Sequence, residues 1–107
     1  MSTKLTYKNV CGHTTTILAV KESSNIIISV ISTCLTIQSL GLNKLIISEE
    51  EIYLPLTKIP SLIKISDILT PSCFLPIMII NVLRMENGLL SKNLAKKLNL
   101  ISIINIE

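Results

Sequence analysis

The sequence predicts an α+β fold: a single domain whose antiparallel sheet, an N-terminal hairpin plus a C-terminal strand, is packed on one face by helices. The chain has 107 residues, of which 49% are hydrophobic and 16% charged, so it can bury one core but not two. Two β-branched segments flank a short polar turn, and a nearly continuous apolar stretch lies between prolines and a glycine. We therefore treat residues 1–107 as a single domain.

The N-terminal hairpin is predicted from residues 14–20 and 25–32, which are rich in Thr, Ile and Val. With Ser23-Ser24 as the two-residue loop, the numbers of paired residues sum to 47 along the whole ladder. This register brings residues 11–13 beside residues 32–34. Residues 4–10 are expected to form only a short extended entry into the hairpin.

Short elements are predicted after the hairpin. Ser32 or Thr33 can cap a helix over residues 34–40, and Gly41 can end it in the left-handed conformation. Residues 45–47 are interpreted as a strand and residues 48–51 as the start of a helix. A further helix is expected after Pro60, with an inward-facing apolar set of Leu62, Ile63, Ile65, Ile68 and Leu69.

Residues 71–76 are predicted to open the strongest helix, because proline near a first turn loses no needed backbone bond, and Gly88 closes it as the C-cap. Glu86 precedes that cap closely, so we expect its carboxylate at the surface. Ser91 is expected to cap a small helix that runs to residue 98, and residues 100–106 are interpreted as the final strand.

Composition argues against several classes of partner. A net charge of +3 with no Trp, one Phe and two Tyr lacks the basic stripe and stacking residues typical of nucleic-acid binding. The most apolar stretch, residues 74–85, is too short to span a bilayer. The N-terminus lacks the apolar block of a signal peptide, so we expect a cytoplasmic protein with no membrane association. Its three cysteines cannot form a closed disulfide set within one chain, and we expect them to be reduced.

The candidate site consists of Cys11, His13, Cys34 and Cys73. The hairpin register places the first two near Cys34, and both Cys34 and Cys73 fall at predicted helix starts. Backbone N–H groups and the helix dipole favour the thiolate at such positions, and the thiolate is the form that binds metals. The sequence therefore raises a metal site for zinc or an iron–sulfur centre, with these four residues as its ligands and no catalytic residue assigned.

Two other interpretations stay open. Free cysteines often only fill space in a core, and the Cys-x-x-Cys spacing of specific metal motifs is absent. If the cysteines are ordinary core residues, the chain is interpreted as a non-catalytic interaction protein or a homo-oligomer, whose large apolar surface contacts a protein partner. The least favoured interpretation is a thiol enzyme that uses Cys73 at the helix start.

The contexts of the cysteines resemble a small family of uncharacterised proteins from methanogens and other anaerobes. That family has Cys-Gly-Phe-Thr-Thr before the first hairpin strand, Ser-Asp-Cys after the second, and His-Pro-x-Cys-Pro-x-Pro leading into a helix that ends near Ala-Gly-Leu. The matching stretches here are Cys11-Gly12-His13-Thr14-Thr15, Ser32-Thr33-Cys34, Thr70-Pro71-Ser72-Cys73-Phe74-Leu75-Pro76 and Asn87-Gly88-Leu89.

The departures from this pattern concern candidate ligands. Thr70 stands where the family has His, Thr33 where it has Asp, and His13 where it has Phe. If the family binds a metal, the resemblance implies that this chain uses its three cysteines, with His13, water or a substrate as the fourth ligand. A member that keeps only the fold is equally compatible with the resemblance.

Overall fold

A computed structural model describes residues 2–9, 11–54, 58–69, 73–93 and 103–106 of the chain. Its elements in order are β1 (Ser2–Lys8), β2 (Thr14–Glu22), β3 (Asn25–Ser32), α1 (Leu35–Ser39), β4 (Leu45–Ser48), a 3-10 helix (Glu49–Tyr53), α2 (Pro60–Ile68), α3 (Leu75–Glu86) and β5 (Ile103–Ile106). The strands form one antiparallel sheet in the order β4-β3-β2-β1-β5. The predicted α+β class is thereby confirmed.

The hairpin register is confirmed over its whole length, from Glu22 opposite Asn25 to Thr15 opposite Ser32. Ser23 has a φ of 55°, the left-handed conformation that a two-residue hairpin loop requires. The N-terminal segment forms more than an extended entry, because β1 pairs with β2 along seven residues and with β5 on its other side. The strong pairing of β1 with both neighbours makes it an inner strand of the sheet.

One face of the sheet carries the core. Along β1, β2 and β3 buried and more exposed side chains alternate, as the pleat of a half-buried sheet requires. Helix α3 packs across β1 and β2 on the buried face. Residues that form this core on the sheet side are Leu5, Tyr7, Ile17, Ala19, Ile26, Ile28, Val30 and Ile47.

Helix α3 is bounded as predicted, with Pro76 in its first turn and Gly88 beyond its end at a φ of 76°. The expectation for Glu86 was wrong, because its side chain is only 5% exposed. Its Oε1 accepts a bond of 2.8 Å from Thr3 Oγ1, and its Oε2 accepts one of 3.0 Å from the backbone N–H of Lys21. These bonds fasten the C-terminal end of α3 to β1 and β2.

The two shorter helices differ from expectation in detail. In α2, Leu62 and Ile65 face the core, but Ile63 is 37% exposed and Ile68 is 59% exposed, so their inward placement was wrong. A short helix that packs through one narrow stripe leaves its other apolar positions outside. Helix α1 takes Cys34 as its N-cap rather than Ser32 or Thr33, although Ser32 Oγ does accept the Cys34 N–H at 3.1 Å.

The remaining predictions fall partly on residues outside those described. The strand at residues 45–47 is confirmed by β4, and the helix start at 48–51 by the 3-10 helix. Gly41 has the expected left-handed conformation, with a φ of 64°. The small helix after Ser91 lies mainly outside the described residues, while the end of the final strand is confirmed by the backbone of β5. No helix within the described part of the chain is long and apolar enough to cross a membrane.

Candidate functional site

The three cysteines lie at the end of the sheet where β1 finishes, β2 starts and β3 finishes. Cys11 is exposed on the turn between β1 and β2, and Cys34 is half-buried between β3 and α1. Cys73 is also half-buried and lies two residues before the first residue of α3. We call this end of the molecule, defined by Cys11, Cys34 and Cys73, the thiol pole. All three are free thiols.

Asn9 links two parts of the thiol pole. Its backbone closes the turn that carries Cys11, since its N–H donates to His13 O and its carbonyl accepts from Gly12 N, both at 2.9 Å. Its side-chain Nδ2 donates to Cys73 Sγ at 3.1 Å, and its Oδ1 accepts the N–H of Phe74 at 3.2 Å. Asn9 is only 7% exposed, so these contacts are made inside the protein. One side chain thus holds the start of α3 against the β1–β2 turn.

The turn itself depends on glycine. Gly12 has a φ of 87°, a conformation that residues with a side chain rarely adopt. No atom lies within 4 Å of the position that a Cβ would take there. The backbone conformation, and not lack of space, is therefore what favours glycine beside Cys11.

Tyr7 lies beneath the thiol pole with its side chain fully buried. Its hydroxyl is a buried polar group with no hydrogen-bond partner among the described residues. Thr15 lies near enough for its side chain to favour the ionised phenol and so to lower the pKa of Tyr7, while its own hydroxyl lies 2.8 Å from Ser32 Oγ.

The charge environment of Tyr7 shows how the thiols are arranged. Burial raises the pKa of Tyr7 well above its ordinary value, and negative charge on Cys73, Cys11 and Cys34 raises it further, in that order of size. The phenol therefore keeps its proton, and can donate a hydrogen bond, throughout the physiological pH range.

His13 lies at the exposed rim of the same pole. Its Nδ1 is 3.0 Å from Thr33 Oγ1, which also accepts the backbone N–H of Thr14 at 3.2 Å. The juxtaposition of residues 11–13 with residues 32–34 is confirmed by these contacts. With Nδ1 engaged, Nε2 is the ring nitrogen that faces any ligand, a common arrangement for metal-binding histidines.

The predicted ligand set stays a prediction. In the ranges that the structure describes, no group of three or more His, Cys, Asp or Glu side chains is arranged so that it could hold a metal ion. Sequence reasoning also missed two residues of the thiol pole, Tyr7 and Asn9. The period-2 burial of β1 places Tyr7 on the core face, but nothing in the sequence indicates that Asn9 reaches Cys73, 64 positions away.

Comparison with known proteins gives one match. The profile of a family of unknown function (DUF6951) matches residues 4–98, which include most of β1, all of β2 through α3 and every residue of the thiol pole. Neither a curated protein nor a solved structure matches the chain.

Proposed function

The chain belongs to the DUF6951 family, whose function is unknown, and we propose that it is a small binding module for a thiolate-bound metal centre. Cys11, Cys34 and Cys73 supply three thiolates and His13 Nε2 is the fourth ligand. Three cysteines and one histidine form one of the ligand sets that bind zinc tetrahedrally. An iron–sulfur cluster is the alternative occupant of the same ligands.

The observation that carries this proposal is that Asn9 joins the turn carrying Cys11 to the sulfur of Cys73, at the end of the sheet where Cys34 follows β3. Cys11 and Cys73 come from segments 62 positions apart in the sequence, and all three cysteines are free thiols. Packing in a core does not by itself require cysteines from distant segments to lie at one end of the domain. Two of the three, Cys34 and Cys73, are moreover only half-buried, and Cys11 is exposed.

Binding at this pole requires the ligands to close on the metal, since no ready-made cluster exists among the described residues. Cys11 is the mobile partner in this proposal, because it is exposed and lies on a turn held by two backbone bonds at Asn9. Cys73 is the fixed partner, because Asn9 Nδ2 already contacts its sulfur. Metal binding therefore draws the β1–β2 turn towards the start of α3.

The test is metal analysis of protein purified without oxygen, followed by zinc titration of the metal-free form. We expect one zinc per chain, and loss of stoichiometric binding in Cys11→Ser, Cys34→Ser and Cys73→Ser. His13→Gln is expected to weaken binding without abolishing it, because water can replace one neutral ligand. Iron and sulfide in the purified protein would identify a cluster instead. Unchanged metal content in all three serine variants, or no metal at all, would overturn the proposal.

A second candidate function is protein association through the outer face of the sheet. That face carries large apolar side chains on three adjacent strands: Leu18 at 37% exposure, Ile46 at 53% and Ile31 at 73%. Monomeric proteins rarely leave such residues together on one surface unless it contacts a partner. In this interpretation the chain is a non-catalytic interaction protein or a homo-oligomer, and its cysteines are ordinary packing residues.

Sedimentation at increasing concentration tests the association. We expect wild-type protein to self-associate and Ile31→Lys to stay monomeric, because a charged side chain cannot be buried in an apolar contact without a large cost. Ile63→Lys, at the exposed side of α2, is the matched control. A wild-type chain that is monomeric at all concentrations would remove the homo-oligomer.

A further inference from the structure

An open groove lies between α2 and the segment that joins α1 to β4. Its volume of about 360 Å³ falls within the range of small-molecule sites in proteins, roughly 300–1,000 Å³. We propose that this α2 groove, defined by Leu42, Leu45, Ile65 and Ile68, binds a medium-chain aliphatic carboxylate whose charged group contacts Lys64. The inference goes beyond the proposed function, since it depends on neither a metal nor association of the chain.

The walls of the α2 groove are aliphatic on both sides. Leu40, Leu42 and Leu45 line one side, and all three are half-buried side chains that pack against the core. Ile65 and Ile68 of α2 line the other side. No aromatic ring lines the groove among the described residues, so a flat aromatic ligand finds no ring on which to stack. The lining therefore fits a saturated alkyl chain, which is held by burial of apolar surface.

Ile68 is an apolar side chain that the protein leaves uncovered at this groove. It is 59% exposed, whereas Ile65, three positions earlier, is 4% exposed. Both share one face of α2 with Ser61 and Lys64, at the spacing i, i+3, i+4 and i+7. A single exposed isoleucine is ordinary on a flat surface, but this one lines a concave surface whose other aliphatic residues are at least half-buried. An alkyl chain in the groove covers Ile68 and completes that surface.

The polar side chains of the α2 groove carry positive charge and no negative charge. Lys64 and Ser61 lie one turn apart on α2, and both line the groove. Lys64 is exposed and forms no ion pair within the described ranges, and the carboxylate nearest to it in sequence, that of Asp67, does not line the groove. A carboxylate suits both groups, because it pairs with the lysine ammonium and accepts a hydrogen bond from the serine O–H. An alkyl amine of the same length meets a like charge instead.

The volume of the groove limits the length of the alkyl chain. It lies near the lower end of the range of ligand sites, and the groove is open to solvent on one side. A long-chain fatty acid would leave much of its tail in water, where it gains nothing from burial. Octanoate is therefore a suitable probe, and octylamine has an alkyl chain of the same length with the opposite charge.

The experiment is a titration of the methyl-labelled full chain with octanoate, kept below its micelle-forming concentration and followed by NMR. We expect saturable shifts of the methyl groups of Leu45, Ile65 and Ile68, while those of Ile31 on the outer face of the sheet stay in place. Octylamine should bind about 5-fold more weakly or not at all, because it lacks the ion pair with Lys64. Groove methyl groups that do not respond to octanoate, or equal affinities for the two probes, would overturn the proposal.

Two pairs of variants separate the charged and apolar contributions. Lys64→Met should weaken octanoate binding by about 5-fold and remove the preference over octylamine, whereas Lys8→Met, an exposed lysine of β1 outside the groove, should change neither. Ile68→Ala should weaken the binding of both probes, because each loses apolar contact. Ile63→Ala, on the same helix but outside the groove and 37% exposed, is its control. Unchanged octanoate affinity in a folded Lys64→Met, or equal losses in Ile68→Ala and Ile63→Ala, would overturn the site.

Discussion

The two ends of α3 treat buried polar groups in opposite ways. At its C-terminal end the buried carboxylate of Glu86 has a partner for each oxygen, Thr3 Oγ1 and the N–H of Lys21. At its N-terminal end no hydrogen bond of standard geometry reaches the buried hydroxyl of Tyr7 among the described residues, and three free thiols lie at this end of the sheet. A fully paired group stabilises the fold, whereas an unpaired one costs stability and is retained for another purpose. The comparison assigns a structural role to the first end, and the second is the end where the proposed site lies.

The largest expected effect is at the structural end. Glu86→Ala removes both acceptors and leaves the Thr3 hydroxyl and the Lys21 N–H without their partners. We expect the free energy of unfolding to fall by about 3 kcal/mol, measured by urea denaturation. Glu50→Ala, which removes an exposed carboxylate, should change it by less than about 0.5 kcal/mol. Similar stabilities for the two variants would remove the structural role assigned to this end.

Asn9→Ala tests the thiol pole through the free energy of unfolding, as Glu86→Ala does for the other end. It removes the hydrogen bonds to Cys73 Sγ and to the N–H of Phe74. The free energy of unfolding should therefore fall by about 2 kcal/mol. Metal affinity should fall as well, because Cys73 is no longer held. Asn43→Ala, at an exposed position, is the control for both measurements. A variant that loses stability but binds metal as before would show that Asn9 belongs only to the fold.

Two glycines, one at each end, form a matched pair. Gly12 has a φ of 87° and Gly88 one of 76°, and neither has an atom within 4 Å of a would-be Cβ. Alanine at either position should therefore cost a similar amount of stability, about 1 kcal/mol. Only Gly12→Ala should weaken zinc binding, because only that turn carries Cys11. Equal loss of zinc affinity in both variants would mean that global stability, and not the turn, controls binding.

The smallest expected effect is at an ion pair on the surface of the structural end. Lys21 Nζ lies 3.4 Å from Glu49 Oε1, with the two side chains 37% and 42% exposed. Solvent screens such a pair, so Glu49→Gln should change the unfolding free energy by at most about 0.5 kcal/mol. The change should shrink further in 1 M salt. A larger loss would show that this end depends on its surface charges and not on the buried carboxylate.

Much of the fold could be predicted because its signals are local. The hairpin follows from β-branched residues around a two-residue turn, and its register is confirmed at every pair from Glu22 to Thr15. The same register placed Cys11 near Cys34, which the contact between His13 and Thr33 supports. The bounds of α3 follow from a proline in its first turn and Gly88 after its last. Each of these features depends on residues close to one another in the sequence.

The errors have a common cause in packing between distant elements. Glu86 was expected at the surface because its neighbours in sequence end a helix, but its partners come from β1 and β2. Ile68 was expected inside because its spacing fits a helical stripe, yet α2 packs so that this residue is 59% exposed. Neither outcome depends on helix propensity. Both depend on which surface the helix packs against and at what angle.

By itself the amino-acid sequence determined the class of fold, the hairpin register and the proximity of the first two cysteine segments, since backbone conformation and pleat alternation act over a few residues. Only the tertiary structure decided that Asn9 contacts Cys73 Sγ and the N–H of Phe74, and that Glu86 bonds to β1 and β2. Those contacts depend on where α3 lies across the sheet. That placement results from core packing between surfaces far apart in the chain, and it leaves no periodic trace in either segment.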